Sequence, residues 1–394
     1  MVSATISFTL YFLVRFVFTD EYRALIPLKV KVLYSLIGKP LFFILDPEFV
    51  HETAMSVGDF MGKILFIRAI TRYLFHYAHP SLVQKVAGIT FENPLGLAAG
   101  YDYTASFPQI LPSIGFGFET IGTITHSPCE GNIKPRLGRL VKSKSLLVNK
   151  GFRNPGAINV IEKLENQKFA FPVGVSIGTT NTSDITNIDE AITDITHAFL
   201  EFEKSKLHIS YYELNISCPN LKTKVTFYEP KSLEKLLVAM VKLHIRKPLF
   251  IKMPINNTDA EVKKMLHTII RFPVTGVIFG NLQKDRADKS FIKTEVEKWK
   301  YGNFSGIPTQ KRSDELIRLA YREVGKQLII IGCGGVFSAS DAYRKIKNGA
   351  TLIQLITGMI FEGPQLIGQI NRDLVEILKK DGYKNIKDAV GADA

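Results

Sequence analysis

The pattern of hydrophobic positions changes character near residue 85. Beyond it, short apolar runs recur at 94–100, 118–125, 173–178, 211–217, 248–253, 276–281, 328–334 and 352–357. Each run is continuous rather than alternating, as expected of parallel strands covered on both faces. Stretches of helical period lie between them, at 188–204, 232–244, 260–272, 313–324, 338–348 and 364–380. Eight strand–helix units over about 300 residues predict an α/β fold, a (β/α)8 TIM barrel, with a doubly wound sheet as the second choice.

The first 84 residues read differently. Residues 4–19 are nearly all apolar, interrupted by Arg15. They fall short of the ~20 residues a spanning helix needs. A basic leader and a small-residue cleavage site are both missing, which argues against a signal peptide. This stretch reads as a membrane-inserted or interfacial anchor. Apolar helical text continues through 30–44, broken at Pro40, then 51–60 and 61–75, with Lys29, Lys31, Lys39, Lys63, Arg68 and Arg72 interspersed. Amphipathic helices of this kind lie in the plane of lipid headgroups. A helical subdomain packed on the main body fits the same pattern. The predicted division is therefore 1–84, helices for membrane anchoring, and 85–394, the barrel.

Composition narrows the setting. An apolar fraction of 46% supports a large core. Cys129, Cys218 and Cys333 are the only cysteines, too few for a disulfide framework and spaced unlike a zinc site. The formal net charge of +13 suits an anionic partner: phosphate, a carboxylate substrate or anionic lipid. The lysines are scattered and no aromatic-rich basic platform stands out, so nucleic acid is not expected as a partner.

Barrel enzymes carry their chemistry at the C-terminal ends of the strands. The run at 211–217 stops abruptly at Pro219, which cannot donate a ladder hydrogen bond, and delivers Asn215, Ser217, Cys218 and Asn220 to its end. Two carboxamides and a thiol suit a planar polar ring beside a proton acceptor; a buried free cysteine in a turn is the plain alternative. Other strand ends offer Ala99-Gly100, Thr123, Asn281, Gly334-Gly335 and Thr357-Gly358. Lys252 ends the fifth run, and a buried lysine there needs an anionic partner. Glycines in the last two loops of a barrel commonly hold a phosphate on backbone N–H groups. The combination fits FMN and a small polar substrate.

Several motifs now converge on one family. Asn215-Ile-Ser-Cys-Pro-Asn220, Pro94-Leu-Gly-Leu-Ala-Ala-Gly100, Gly131-Asn-Ile-Lys-Pro-Arg136, Gly332-Cys-Gly-Gly335 and Gly358-Met-Ile-Phe-Glu-Gly-Pro364 resemble dihydroorotate dehydrogenases over essentially the whole barrel. Leu45-Asp-Pro-Glu-Phe-Val-His-Glu52 is similar to the opening of the class 2, membrane-associated, quinone-dependent members. The resemblance implies oxidation of dihydroorotate to orotate in pyrimidine synthesis, with FMN as hydride acceptor and a membrane quinone as final acceptor. It implies a place on the cytoplasmic face of a bacterial inner membrane, or on the mitochondrial inner membrane in a eukaryote.

The resemblance also implies roles for residues. Cys218 stands at the general base, with Lys252 against the flavin as the second catalytic residue. Asn149, Gly151, Phe152, Asn215, Asn220 and Asn281 would meet the substrate. Ala99, Gly100, Tyr103, Thr123, Ser176, Asn215, Lys252, Gly280, Gly306, Gly334, Gly335, Thr357 and Gly358 would hold the cofactor. No metal is expected. The chain departs from the family in places. Class 2 members usually carry serine where Cys218 stands, and cysteine is the class 1 choice. A thiol, with its ordinary pKa near 8.5, is the easier base. Tyr103 replaces a lysine, Lys150 is an added cation that displaces Asn149 by one place, and Ser176, Leu282 and Ile356 replace an asparagine, a threonine and a tyrosine. These changes leave a second reading: a flavin-binding homologue inactive on dihydroorotate, serving as a membrane-bound interaction protein or acting on another small ring.

Overall fold

The eight apolar runs form eight short parallel strands: β1 (Leu95–Leu97), β2 (Phe118–Ile124), β3 (Val173–Ile177), β4 (Tyr211–Asn215), β5 (Leu249–Met253), β6 (Gly276–Phe279), β7 (Ile329–Cys333) and β8 (Leu352–Leu355). In the computed structural model, which describes residues 20–223 and 225–394, they close into one barrel in the order β6-β7-β8-β1-β2-β3-β4-β5. Every residue of β2, β3, β4, β5 and β6 is buried, which explains why the runs are continuous rather than alternating. The doubly wound alternative is excluded by closure: β8 pairs with β1, Gln354 opposite Gly96.

The inside of the barrel is filled in levels. Phe118, Tyr211 and Phe250 form an aromatic floor, with Phe91 stacked edge-on against Phe118 at 5.3 Å. Phe91 belongs to an antiparallel hairpin, Gln84–Val86 with Ile89–Phe91, that lies ahead of β1. Gly96 and Gly174 face these rings; a Cβ at either position would strike Phe118 or Tyr211. Above the floor the filling turns polar, with Thr120, Ser176, Glu213, Lys252 and Gln354 all buried.

Among the described residues, four α-helices lie ahead of the barrel. They are α1 (Asp20–Leu33), α2 (Lys39–Ile44), α3 (Pro47–Lys63) and α4 (Leu65–Phe75). A π-helical turn, Tyr34–Gly38, joins α1 to α2, so the expected break falls before Pro40; at the second position of α2 its missing N–H costs nothing. The expected helix over 61–75 is divided at Ile64, whose extended backbone separates α3 from α4. Asp46 caps α3, accepting from Phe49 N at 2.9 Å. The anchor expected over 4–19 lies outside the described residues. Among those described, no helix is long and apolar enough to cross a membrane. A small antiparallel sheet, Leu137–Leu140, Ser145–Val148 and Asn303–Phe304, lies outside the barrel strands, and its middle strand brings Val148 to the cavity.

Candidate active site

A cavity of about 650 Å³ opens at the C-terminal ends of the strands and continues under α2 and α3. Its inner wall grows from β4 and β5. These strands pair with Asn215 opposite Lys252, and alternation puts Tyr211, Glu213 and Asn215 on the interior face. Lys252 Nζ lies 3.4 Å from Glu213 Oε1, and both side chains are buried. Burial works to discharge the ammonium, but the Glu213 carboxylate outweighs it and holds Lys252 above its ordinary value. Glu213 also accepts from Ser176 Oγ at 3.2 Å and Gln354 Nε2 at 3.4 Å. Gln354 in turn donates to Thr120 Oγ1 at 2.9 Å, which bonds Tyr211 Oη at 2.7 Å. A polar column thus runs from the aromatic floor to the cavity.

The loop after β4 turns on its own side chains. Asn215 Oδ1 accepts from Ser217 N and Oγ at 3.2 and 3.1 Å, while its Nδ2 donates to Thr123 Oγ1 at 2.8 Å. Asn281 Nδ2 donates to Ser217 Oγ. Cys218 lies on the cavity wall, partly exposed to it. Burial pushes its thiol up to about 12, against the pull of the Asn220 backbone N–H, Lys284 and Lys252. The surroundings of the ligand-free cavity favour the neutral thiol. Asn220 is spoken for by protein. It donates to Val148 O at 3.0 Å and accepts from Asn303 Nδ2 at 2.6 Å, which fixes the loop against the small outer sheet.

The opposite wall is backbone. Gly306, Gly334 and Gly335 have φ of +83°, +101° and +68°, and a Cβ at Gly335 or Gly358 would strike Gln310 or Val336 O. Thr357 and Gly358 start a short helix, whose first N–H groups have no partner within the helix. Ser305 Oγ and Thr357 Oγ1 are hydrogen-bonded at 2.8 Å beside them. This shape is a cradle that only backbone can form.

The third wall comes from α3 and the segment 148–153. His51 Nε2 donates to Tyr101 O at 2.9 Å, leaving Nδ1 to accept from Lys150 Nζ at 3.1 Å. Burial, then the Lys150 charge, depress His51 to about 3, so the ring is neutral and this tautomer is enforced. The Lys150 ammonium sits 4.1 Å over the Tyr103 ring. Outside it, Glu48 bridges Arg136 and Arg153, and Arg153 also holds Glu52. Further out the cavity turns apolar, lined by Phe42, Phe43, Val50, Val57, Met61 and Ile360, with Arg139 anchored on the carbonyls of Phe43 and Leu45 at 3.4 and 2.7 Å.

Of the residues singled out in the sequence, Ala99, Gly100, Tyr103, Thr123, Gly151, Phe152, Asn215, Cys218, Asn220, Lys252, Gly280, Asn281, Gly306, Gly334, Gly335, Thr357 and Gly358 line this one cavity. Two do not. Asn149 is turned away because Val148, its neighbour on the strand, takes the inward position; its Oδ1 accepts from Asn132 Nδ2 at 3.0 Å. Ser176 lies beneath Thr123, bonded to its hydroxyl at 3.0 Å, and belongs to the polar column. Sequence reasoning missed Glu213, although a buried Lys252 called for an anion and Glu213 was the carboxylate inside the neighbouring apolar run. It also missed His51 and Arg139, which carry no local signal because helices and an outer strand bring them to the cavity.

Fold and site together define the class of protein: a (β/α)8 enzyme with its chemistry at the C-terminal strand ends and an added helical wall. Comparison with known proteins takes this further. The dihydroorotate dehydrogenase family profile matches residues 81–378. The chain is 32% identical over 363 residues to a dihydroorotate dehydrogenase (quinone) of Trichodesmium erythraeum, covering 88% of this chain and 94% of that one. It is 33% identical over 356 residues to one from Nitratiruptor, covering 90% and 98%. The crystal structure of DHODH from Eimeria tenella in complex with ferulenol superposes with a TM-score of 0.77 at 26% identity, covering 88% of this chain and 96% of that one. This chain belongs to the dihydroorotate dehydrogenase family.

Proposed function

We propose that this protein oxidises dihydroorotate to orotate, a step of pyrimidine synthesis, with FMN taking the hydride and a membrane quinone as final acceptor. The observation that carries the reading is the single cavity. It joins Cys218, Asn215, Asn281 and Lys252 at one end to an apolar passage under α2 and α3 at the other. The relatives named as quinone-dependent enzymes over nine-tenths of the chain point the same way.

The residues present fit FMN. The glycine cradle at Gly306, Gly334-Gly335 and Thr357-Gly358 suits its phosphate and ribityl chain, since a side chain there would close the space. Ala99, Gly100, Thr123 and Gly280 keep the floor low enough for a flat ring. Bound there, FMN supplies a hydride acceptor. Cys218 removes the proton beside a ring carbonyl, and the thiol must be drawn down from its raised pKa by the complex to do so. Asn215 and Asn281, tied to each other through Ser217, present carboxamides to the pyrimidine edge. Lys252 keeps a positive charge at the ring system because Glu213 sustains it.

The N-terminal helices support a lipid-facing reading of residues 1–84, with residues 85–394 as the FMN-binding barrel. Leu36, Ile44, Leu65 and Phe66 are between 72% and 84% exposed, next to Lys39, Lys63 and Arg68. A patch of this kind suits the headgroup boundary and lets a lipid-soluble quinone enter between the helices.

One experiment tests the function. The purified protein should carry a yellow flavin, which anaerobic dihydroorotate should bleach and a short-chain quinone restore. A flavin that dihydroorotate leaves oxidised would overturn the reading and favour the inactive flavin-binding homologue.

A further inference from the structure

Three lysines in the described structure are buried: Lys150, Lys252 and Lys345. Lys252 is paired with Glu213 at 3.4 Å and Lys345 with Asp314 at 2.7 Å. Among the described residues, Lys150 has no carboxylate within 4.0 Å. Its near neighbours Glu48 and Glu52 are already held by Arg136 and Arg153. What touches Lys150 Nζ is the neutral Nδ1 of His51 and the face of Tyr103. Both orient an ammonium, and neither cancels its charge. A buried cation without a counter-ion is costly. Burial accordingly drags Lys150 down to about 7, far below a surface lysine.

The position is as telling as the missing partner. Lys150 lines the cavity beside His51 of α3, in the segment that also supplies Gly151 and Phe152 to its wall. The chain has also exchanged charges here. Position 103 carries an aromatic ring where the family resemblance calls for a lysine, and the ammonium over that ring comes from residue 150 instead. Tyr103 and His51 both hold the ammonium, and its remaining N–H is left to meet a ligand.

We propose that Lys150 is an anion-binding residue of this cavity, donating to a negatively charged oxygen of a bound ligand. The inference rests on the proposed function for the identity of that ligand. Two sources offer the chemistry: the carboxylate of the pyrimidine, and the ionised hydroxyl of a hydroxyquinone entering from the apolar side. Either would supply the counter-ion that the fold withholds. Hydrogen bonds to charged groups are about twice as strong as neutral ones, so the ammonium contributes to selectivity as well as affinity.

The test uses the flavin-loaded full chain and the variant Lys150→Met, which keeps the length of the side chain and removes the charge. Binding is measured by titration calorimetry with orotate and, separately, with a 2-hydroxy-1,4-naphthoquinone ionised at neutral pH. We expect about tenfold or greater weakening for one of the two, the loss of a hydrogen bond to a charged group. Loss confined to orotate assigns the carboxylate; loss confined to the naphthoquinone assigns the anionic hydroxyquinone. Thermal unfolding of the ligand-free variant supplies a readout that a purely structural role would move the other way. Removing an uncompensated buried charge should leave the melting temperature unchanged or raise it. Unchanged affinity for both ligands, or a lowered melting temperature with no selective loss of either anion, would overturn the proposal. Bleaching of the wild-type flavin by dihydroorotate is scored independently, so failure of the overall function is not confused with failure at Lys150.

Discussion

Glu213 and Lys252 face each other across neighbouring strands inside the closed barrel, 3.4 Å apart and out of reach of water. The pair is not free-standing: Ser176 and Gln354 occupy the remaining carboxylate lone pairs, and Asn215 lies beside Lys252 in register. Glu213→Gln should therefore act mainly through Lys252. It strands a buried ammonium, a change that typically costs about 3–5 kcal/mol. The expected outcome is a large drop in melting temperature and, once the stranded ammonium has given up its proton, a flavin that is harder to reduce. The double variant Glu213→Gln, Lys252→Met should recover most of the stability but not the flavin behaviour. Denaturation and potentiometry on the three proteins check both.

Cys218→Ala should bind flavin normally and be reduced by dihydroorotate more slowly by about 10²–10⁴-fold, the usual contribution of a positioned base. Burial raises the thiol to about 12, so the thiolate fraction climbs with pH across the whole working range. At subsaturating dihydroorotate, where the thiol of the free enzyme governs, the reduction rate of the wild type should rise with pH and show no plateau near the ordinary thiol value. Stopped-flow reduction from neutral to alkaline pH measures this. Equal rates for the two proteins would remove Cys218 from the chemistry.

Gly335→Val should abolish flavin retention. The residue sits at φ +68°, where a β-branched side chain is strained, and its Cβ would meet Gln310. Absorbance of the purified variant checks it, with circular dichroism to confirm that the barrel has formed.

His51 gives a pH signature to the docking of α3. Its folded pKa is depressed to about 3, below the 6.5 of an unfolded histidine. Between these values the unfolded chain binds a proton that the folded chain refuses. Stability from this group is thus complete above pH 6.5 and is lost as pH falls toward 3. His51→Gln should flatten that dependence. Melting temperature against pH for both proteins isolates the histidine from the carboxylates, which are common to the two.

Replacing Leu36 and Phe66 by glutamate should lower co-sedimentation with anionic vesicles while leaving flavin bleaching by dihydroorotate intact. Both side chains are exposed and far from hydrogen-bonding duties, so the change acts on the patch alone. Undiminished sedimentation would count against a lipid-facing role for these helices.

The barrel was legible because its signal is local. Most strands are continuous apolar runs ended by glycine, asparagine or proline, as at Asn215–Asn220, and some helices carry their own cap, as Asn187 and Thr258 show. The strand-end residues were legible for the same reason, since topology alone sends them to one mouth. Asn149 does not line the cavity, because a single step along the strand Ser145–Val148 decides which way a side chain faces and motif spacing does not record that step. Glu213 had a signal, a carboxylate in the apolar run next to that of Lys252, whereas His51 and Arg139 were not legible because their importance lies in partners brought by other parts of the chain. His51 reaches Lys150 across 99 residues, and no window along the chain contains both.

The polar column inside the barrel has a consequence for how the chain finds its alignment. Apolar strands of similar length can slide past one another with little loss, since one aliphatic face packs much like the next. Here a slip of β4 by one residue would turn Glu213 outward among the helices and bring Leu214 in against Lys252. Ser176 and Gln354 would lose their acceptor at the same moment, and Thr120 its Tyr211 partner. The column therefore works as a key cut for a single offset, and the strand that carries it is the one that ends in Cys218. Misalignment is penalised most heavily where a displaced thiol would do the most harm.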